Sequence, residues 1–548
     1  MIATGVVYSI IMTQTDRFWT TLRGLSPVIS GKQVSIRRKA AIIVTVYALL
    51  PHQCTFRQPG FDRFDPGRDR ILLVEETDPA LWAESHCHRM IHQWSIIRHF
   101  EQDVKDKGFP VTRIQAPSFT VGLERFLDES PDREVHLCWP TDYKSREALS
   151  AWKQTFGGTV RIEEETGFLI PGKEWRTLLK KDKQWKLDPI YRSFRTRFDV
   201  LMTDDRKPVG GKWSYDQDNR KKAPEHVTFP APRFPERSAI TEDVIREVKE
   251  HYPDLYGNPD SFEQPVTARD AEALAEHFIA HRLASFGDYQ DAMRPKDVYM
   301  SHSLLSAAIN YSLLEPLSLI RKAEQAYHDG MAPLNAVEGF IRQILGWREY
   351  IRGVYLERMP GYQDVNHFGH TRDLPAFFWD GQTKMACVSD AVTGLLETGY
   401  THHIQRLMIL GNLSTLLGVE PKQVSDWFYT MYTDALDWVV LPNVLGMALY
   451  ADGGTMSTKP YAASGKYVDR MSTYCKSCTY KVKDKYGDDA CPLNSLYWDF
   501  LARNQDEFRE HPRMKVMYKH LDNRCDEDRA KQEETVSAIF RRLKTGHL

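Results

Sequence analysis

The chain has 548 residues, 42% hydrophobic and 11% aromatic, enough for two or three domains and a substantial core. A formal charge of -2 excludes a basic whole-molecule field, so any nucleic-acid contact must use local patches. The longest apolar run, from about Ala40 to Leu50, is about half the ~20 residues that span a bilayer, so no membrane span is expected; the opening MIATGVVYSIIM lacks a basic leading region and a cleavage site, and a cytoplasmic location follows by default.

Residues 1–38 show no sustained period and read as an N-terminal extension. From Ala40 the pattern becomes short apolar runs, IIVTVYALL, RILLVEE, FPVTRIQ and EVHLCWP, with an amphipathic stretch from about Met90 to Val104. Strands alternating with helices predict a parallel, Rossmann-like α/β domain over 39–170. No G-x-G-x-x-G follows the first strand, so a dinucleotide site is not supported there. Residues 171–240 are polar and rich in Lys, Arg, Gly and Pro, and read as an interdomain connection. From about Thr241 apolar residues recur at helical spacing almost to the end, which predicts a large all-α domain over 241–548.

Eight cysteines in so apolar a chain are no disulfide scaffold. Cys475 and Cys478 form a C-x-x-C, Cys491 precedes a proline, and Cys387 lies far upstream on a helical segment. Four thiolates can close a zinc site or hold a cubane cluster. A zinc ribbon usually brings two C-x-x-C knuckles; the single one here favours an iron-sulfur cluster. Cys54, Cys87, Cys138 and Cys525 read as scattered thiols.

The segments FGDYQDAM, HSLLSAAIN, PLNAVEGFIRQILGWREY, HHIQRLMILGN, LPNVLGM and ADGGTMSTKPYAASGKY, in this order between Phe286 and Tyr467, resemble the FAD-binding domain of the bacterial iron-sulfur branch of the photolyase/cryptochrome family. The resemblance runs from about residue 68 to about 505. It implies a photolyase/cryptochrome-like fold, FAD held in a folded shape, a 4Fe-4S cluster on the four cysteines, and light-driven repair of UV-damaged DNA, with the (6-4) pyrimidine-pyrimidone photoproduct as the expected lesion. A monomer is expected. The alternatives are a cryptochrome-like blue-light photoreceptor and a non-enzymatic iron-sulfur nucleic-acid-binding protein, the latter leaving HSLLS and GWREY unexplained.

By the same resemblance, Ser303, Leu304, Leu305 and Ser306 meet the flavin phosphates and ribityl chain, Arg348 holds its polar edge beside Gln343 and Trp347, and Asp434 and Asn443 lie near its ring. His402 and His403 are the proton-donor candidates, since histidine titrates closest to working pH; neighbours on a helix point about 100° apart, and His403 is favoured. GGKWSYDQDNR brings Asp216, Asn219 and Arg220 to the lesion cavity, with Met447 as an apolar wall. Trp379 and Trp427 are the electron-transfer pair; the branch can carry a tyrosine beside the second, where this chain has Phe428, and Tyr429 is a further candidate. A lumazine-type antenna is within the family's range, with His86, His88 and Arg89 as contacts or, alternatively, as solvated helix residues; Pro79 and Gln93 stand where an acidic and an apolar residue are expected. Arg176, Lys180, Lys181, Lys183, Lys186, Arg192, Arg195 and Arg197, interleaved with Trp175, Trp185, Tyr191 and Phe194, form a basic run suited to phosphates.

Overall fold

The computed structural model describes residues 44–128, 133–181, 185–546 and 548; the expected extension 1–38 and Lys183 lie outside them. Five strands, β1 (Val44–Leu49), β2 (Arg70–Glu76), β3 (Val111–Ala116), β4 (Arg133–Trp139) and β5 (Thr159–Glu164), form one sheet in the order β3-β2-β1-β4-β5. Every pair is parallel, with Tyr47 opposite Ile71 on one side and His136 on the other. The two central strands read as near-continuous apolar runs because both faces are covered, as parallel sheets require. The edge strand β5, TVRIEE, is charged and half-exposed, and so gave no apolar run to read.

Strand order reverses between β1 and β4, where an open α/β sheet ordinarily opens a ligand crevice beyond its carboxyl ends. Side chains fill that space here. Glu165 is buried against His52 (3.3 Å) and accepts from Gln53 (3.2 Å), while Arg352, from the helix Glu349–Arg358, donates to Thr141 Oγ1 (3.2 Å) and Ile170 O (2.7 Å). The sheet is thus pinned at this edge to the helical part. The twenty-residue helix Cys87–Asp106 is a second attachment. His86 and His88 on it donate to the carbonyls of Leu396 (3.0 Å) and Asn258 (2.7 Å).

The expected connection 171–240 differs from its reading. It contains two helices, Gly172–Lys181 and Leu187–Phe198, because Trp175, Leu179, Ile190, Tyr191 and Phe194 recur at helical spacing and are buried, a period masked by the intervening basic residues. The basic run is corrected with it. Arg195 is fully buried and donates to the carbonyls of Val200, Leu201 and Trp213, so it is not available to phosphates; Arg197 is half-exposed and pairs with Glu174. Arg176 stays largely exposed, over Glu357. After Phe198 the chain runs in turns as far as the helix Ala239–His251, and the described residues beyond it contain helices and no strand. Among the described residues no helix is long and apolar enough to cross a membrane.

Several histidines are sealed in this core as neutral donors. His86, His92 and His302 are buried, and burial lowers them from 6.5 to about 3, 4 and 4. The unfolded chain binds these protons near pH 6.5 and the folded chain does not, so unfolding takes up protons and stability falls as pH drops from 6.5 towards 4. At pH 5 each such histidine costs about 2 kcal/mol relative to neutral pH. Urea unfolding should show a clearly lower midpoint at pH 5 than at pH 7; equal midpoints would refute the assignment.

Candidate functional site

Two π-helical turns, Gln405–Gly411 and Pro442–Ala448, lie side by side and wall a cavity of about 530 Å³. Such turns re-aim side chains that a regular helix would bury, and they recur at functional sites. Gly411 makes their close approach possible: a Cβ there would stand 2.8 Å from that of Ala448. Arg406 and Leu407 enter the cavity from the first turn and Asn443, Val444 and Ala448 from the second, with His403, Phe428, Tyr432 and Asp434 completing the wall. A third π-turn, Arg342–Arg348, carries Gln343, Trp347 and Arg348.

The polar side of the cavity is built on one carboxylate. Asp434 accepts both guanidinium nitrogens of Arg406 (2.9 and 3.1 Å) and the Ser306 hydroxyl (2.7 Å), while Asn310 donates to its backbone carbonyl (2.9 Å). Burial alone would raise its pKa, but Arg406 outweighs burial and holds it below the usual carboxylate range. Arg406 also covers the Tyr432 ring at 4.0 Å. Asn443 donates its amide to Val439 O (2.8 Å), which leaves its Oδ1 as an acceptor. Ser303 to Leu305 lead into the short helix Ser306–Asn310 through a left-handed Leu304 (φ 63°), so Ser306 bridges this segment to Asp434.

The two histidines separate as helical geometry requires. His403 opens into the cavity, whereas His402 is 1% exposed and stacks face to face on His302, with ring centroids 4.4 Å apart and an interplanar angle of 9°. Burial and the neighbouring His302 push His402 well down, which keeps the stacked pair neutral. His403 is lowered to about 4, by burial first and then by Arg406. His302 donates to Gln290 O (3.1 Å), and a Cβ on Gly339 would meet both Gln290 and Asn219, so the pair is packed through to the loop of Asp216.

That loop is ordered by its own polar groups. Asn219 is buried and exchanges two hydrogen bonds with Asn335 (3.2 and 3.1 Å), Tyr215 N donates to Glu338 (2.9 Å), and Arg220 pairs with Asp216. Arg220 lines a second, polar cavity of about 970 Å³ with Asp288 and Asn335. Asp291, 3.9 Å from Arg220, is raised to about 6 by burial and the charge of Asp216. The sequence reading missed Asp291, Arg406 and Tyr432; Arg406 could have been found, since it lies one turn beyond His402 on the same segment.

Other expected residues lie elsewhere. Arg348 is buried between Phe168 (4.2 Å) and Trp438 (5.1 Å) against Glu349, its pKa lowered to about 10 by burial, and it is absent from the lining of the 530 Å³ cavity. Gln343 donates back to Gly339 O, Trp347 packs edge-on to Tyr350, and Met447 is buried within its π-turn. The solvated alternative for His86, His88 and Arg89 is overturned: all three are buried. Ligand atoms of His86, Cys87 and His88 lie within 4.8 Å of one another. His86 is nonetheless spent, since Nδ1 accepts from His88 N (3.1 Å) and Nε2 donates to Leu396, leaving no lone pair for a metal.

Trp427 is buried beside Phe428 (5.0 Å) and donates its indole N–H to Phe378 O (3.1 Å); Trp379, the residue after Phe378 in the chain, is half-exposed. Tyr429 lies under Arg89 at 4.5 Å. Cys387, Cys475, Cys478 and Cys491 line one cavity of about 330 Å³, walled otherwise mainly by Met385, Val468, Tyr474 and Val482. Gln405 donates to the Tyr474 hydroxyl (3.1 Å), which donates to Asp390 (2.7 Å) on the helix Ala386–Thr398, so the cysteine site is tied to the π-turn Gln405–Gly411.

The fold, a parallel α/β sheet pinned to a helical domain, is shared with solved photolyase and cryptochrome structures. A crystal structure of a class III photolyase from Agrobacterium tumefaciens superposes with a TM-score of 0.56 at 13% identity over 86% of this chain and 99% of that one; a Synechocystis cryptochrome does so with 0.54 at 12% over 91% and 99%. Residues 47–264 match the family described as deoxyribodipyrimidine photo-lyase-related protein. A protein of Agrobacterium fabrum named (6-4) photolyase is 40% identical over 496 residues, 88% of this chain and 96% of its own length. The chain belongs to the photolyase/cryptochrome family, in its deoxyribodipyrimidine photo-lyase-related branch. Membership implies FAD as cofactor.

Proposed function

We propose that this chain is a DNA photolyase that repairs the (6-4) pyrimidine-pyrimidone photoproduct, with FAD in the 530 Å³ cavity and His403 as proton donor. The observation that carries this reading is His403 opening into a cavity whose other polar groups, the Arg406–Asp434 pair and Asn443 Oδ1, suit a flavin ring, in a chain 40% identical to a (6-4) photolyase.

FAD, when bound, supplies the photoexcitable electron. The protein's residues do the rest. Asp434, anchored by Arg406 and Ser306, presents a fixed acceptor to a ring N–H, and the guanidinium offsets negative charge in the cavity. His403 carries the proton on its imidazole. Burial and the neighbouring Arg406 lower its pKa, and an anionic group beside it would favour the protonated form. Asp216, Asn219, Arg220 and Asp291 border the entering lesion, flipped from the duplex. Trp427 and Trp379 carry electrons inward.

We assign Cys387, Cys475, Cys478 and Cys491 to a 4Fe-4S cluster; the four line one largely apolar cavity and include a single C-x-x-C, which supports a cluster over a zinc ribbon. His86, His88 and Arg89 hold the helical part to the sheet, so they are not assigned to a lumazine-type antenna. In this reading 39–170 is the antenna-type domain, 171–240 carries the lesion loop, 241–548 is catalytic, and the protein works on damaged DNA as a monomer. The test is repair by the purified, FAD-loaded protein under blue light, on oligonucleotides carrying one (6-4) photoproduct or one cyclobutane dimer. Restoration of the first alone supports the proposal. Restoration of the second alone would replace the substrate, and restoration of neither, with flavin bound and reducible by light, would favour a photoreceptor.

A further inference from the structure

The electron path assigned above ends, on the sequence, at Trp379. In the structure it does not. Trp379 is half-exposed, and its indole stacks on the ring of Tyr256 with centroids 5.1 Å apart and planes 30° from parallel. Tyr256 comes from a distant segment, the turn after the helix Ala239–His251, and is held at both backbone polar groups: its N–H donates to Ser85 O (3.0 Å) and its carbonyl accepts from Cys87 N (2.8 Å). Gly257 follows at φ 88°, and a Cβ there would strike the His86 ring at 2.1 Å, so the position of the neighbouring tyrosine is fixed by close backbone packing.

We infer that Tyr256 is the outermost electron donor of this protein, reducing the Trp379 radical cation and becoming a neutral tyrosyl radical. The inference rests on the photolyase reading and extends it by one residue. An electron leaves Trp427 for the photoexcited flavin, Trp379 refills Trp427, and Tyr256 refills Trp379. One electron has then crossed from Tyr256 to the flavin, and the phenol has lost one proton. Tyr256 is half-buried and Glu84 and Asp380 are exposed carboxylates whose charges act on its phenol, so the proton passes to bulk water. An external thiol returns the electron and proton to Tyr256 and closes the cycle. Deprotonation makes the last step hard to reverse, so the electron on the flavin outlasts recombination with Trp379.

Tyr432, the tyrosine nearest the flavin cavity, is unsuited to this role. It is buried, its hydroxyl is committed to Thr401 (2.8 Å), and the Arg406 guanidinium 4.0 Å over its ring opposes removal of an electron.

The experiment is flash photolysis with freeze-quench EPR on the FAD-loaded wild type and on Tyr256→Phe and Trp379→Phe, without added thiol. Phenylalanine preserves the stack and removes only the hydroxyl. The expected result is a long-lived tyrosyl signal in the wild type, its loss in Tyr256→Phe, and a several-fold faster decay of the reduced flavin in that variant. A wild-type tyrosyl signal that persists in Tyr256→Phe, or none in either protein while Trp379→Phe abolishes photoreduction, would overturn the inference and leave the tryptophan path standing. Undiminished photoreduction in Trp379→Phe would instead sink the path itself, and Tyr256 with it.

Discussion

His403→Ala should lower repair of the (6-4) lesion by about 10²–10⁴-fold, the usual worth of a positioned general acid, while flavin binding and photoreduction persist. The expectation follows from direction alone: His403 opens into the cavity and His402 turns away onto His302. His402→Phe keeps a ring on His302 and should cost far less repair than His403→Ala. Single-turnover repair under saturating light, with flavin content matched between variants, measures both. If His402→Phe proved the more damaging, the donor would have to be reassigned to the buried pair.

Cys387→Ser should remove the cluster and, with it, the order of the C-terminal segment. Bound iron should fall from about four atoms per chain to near zero, because one ligand comes from the helix Ala386–Thr398 and three from residues 475–491. The lost cross-link is also structural. Cys475 follows Tyr474, which links Gln405 to Asp390, so its release loosens the π-turn that walls the flavin cavity. Faster proteolysis between Ser472 and Cys491, with weaker FAD retention, is the expected outcome. Cys525→Ser, at an exposed thiol outside the set, should change neither iron content nor proteolysis. Zinc in place of iron in the protein purified without oxygen would refute the cluster.

Much of this was legible in one dimension. Short apolar runs announced the parallel sheet, and helical periodicity announced the long second domain, because burial on one or both faces imprints itself directly on residue order. β5 was missed because an edge strand needs little apolar content, and the helices Gly172–Lys181 and Leu187–Phe198 because basic residues are interleaved with the buried ones. Arg195 shows the limit well. It reads as one more phosphate contact in a basic run, yet it is buried as a hydrogen-bond donor to three carbonyls.

The sequence by itself determined the fold class, since that depends on residue type and period, and it grouped Cys387, Cys475, Cys478 and Cys491, which the structure brings to one cavity. Only the tertiary structure decided which histidine meets the cavity, that Arg406 rather than Arg348 pairs with Asp434 there, that His86 and His88 are structural, and that Tyr256 meets Trp379. The reason is geometric. Helical spacing sets the angle between two side chains, but the element that packs against each of them comes from elsewhere in the chain, and that partner decides whether a polar group is spent on structure or left free for chemistry.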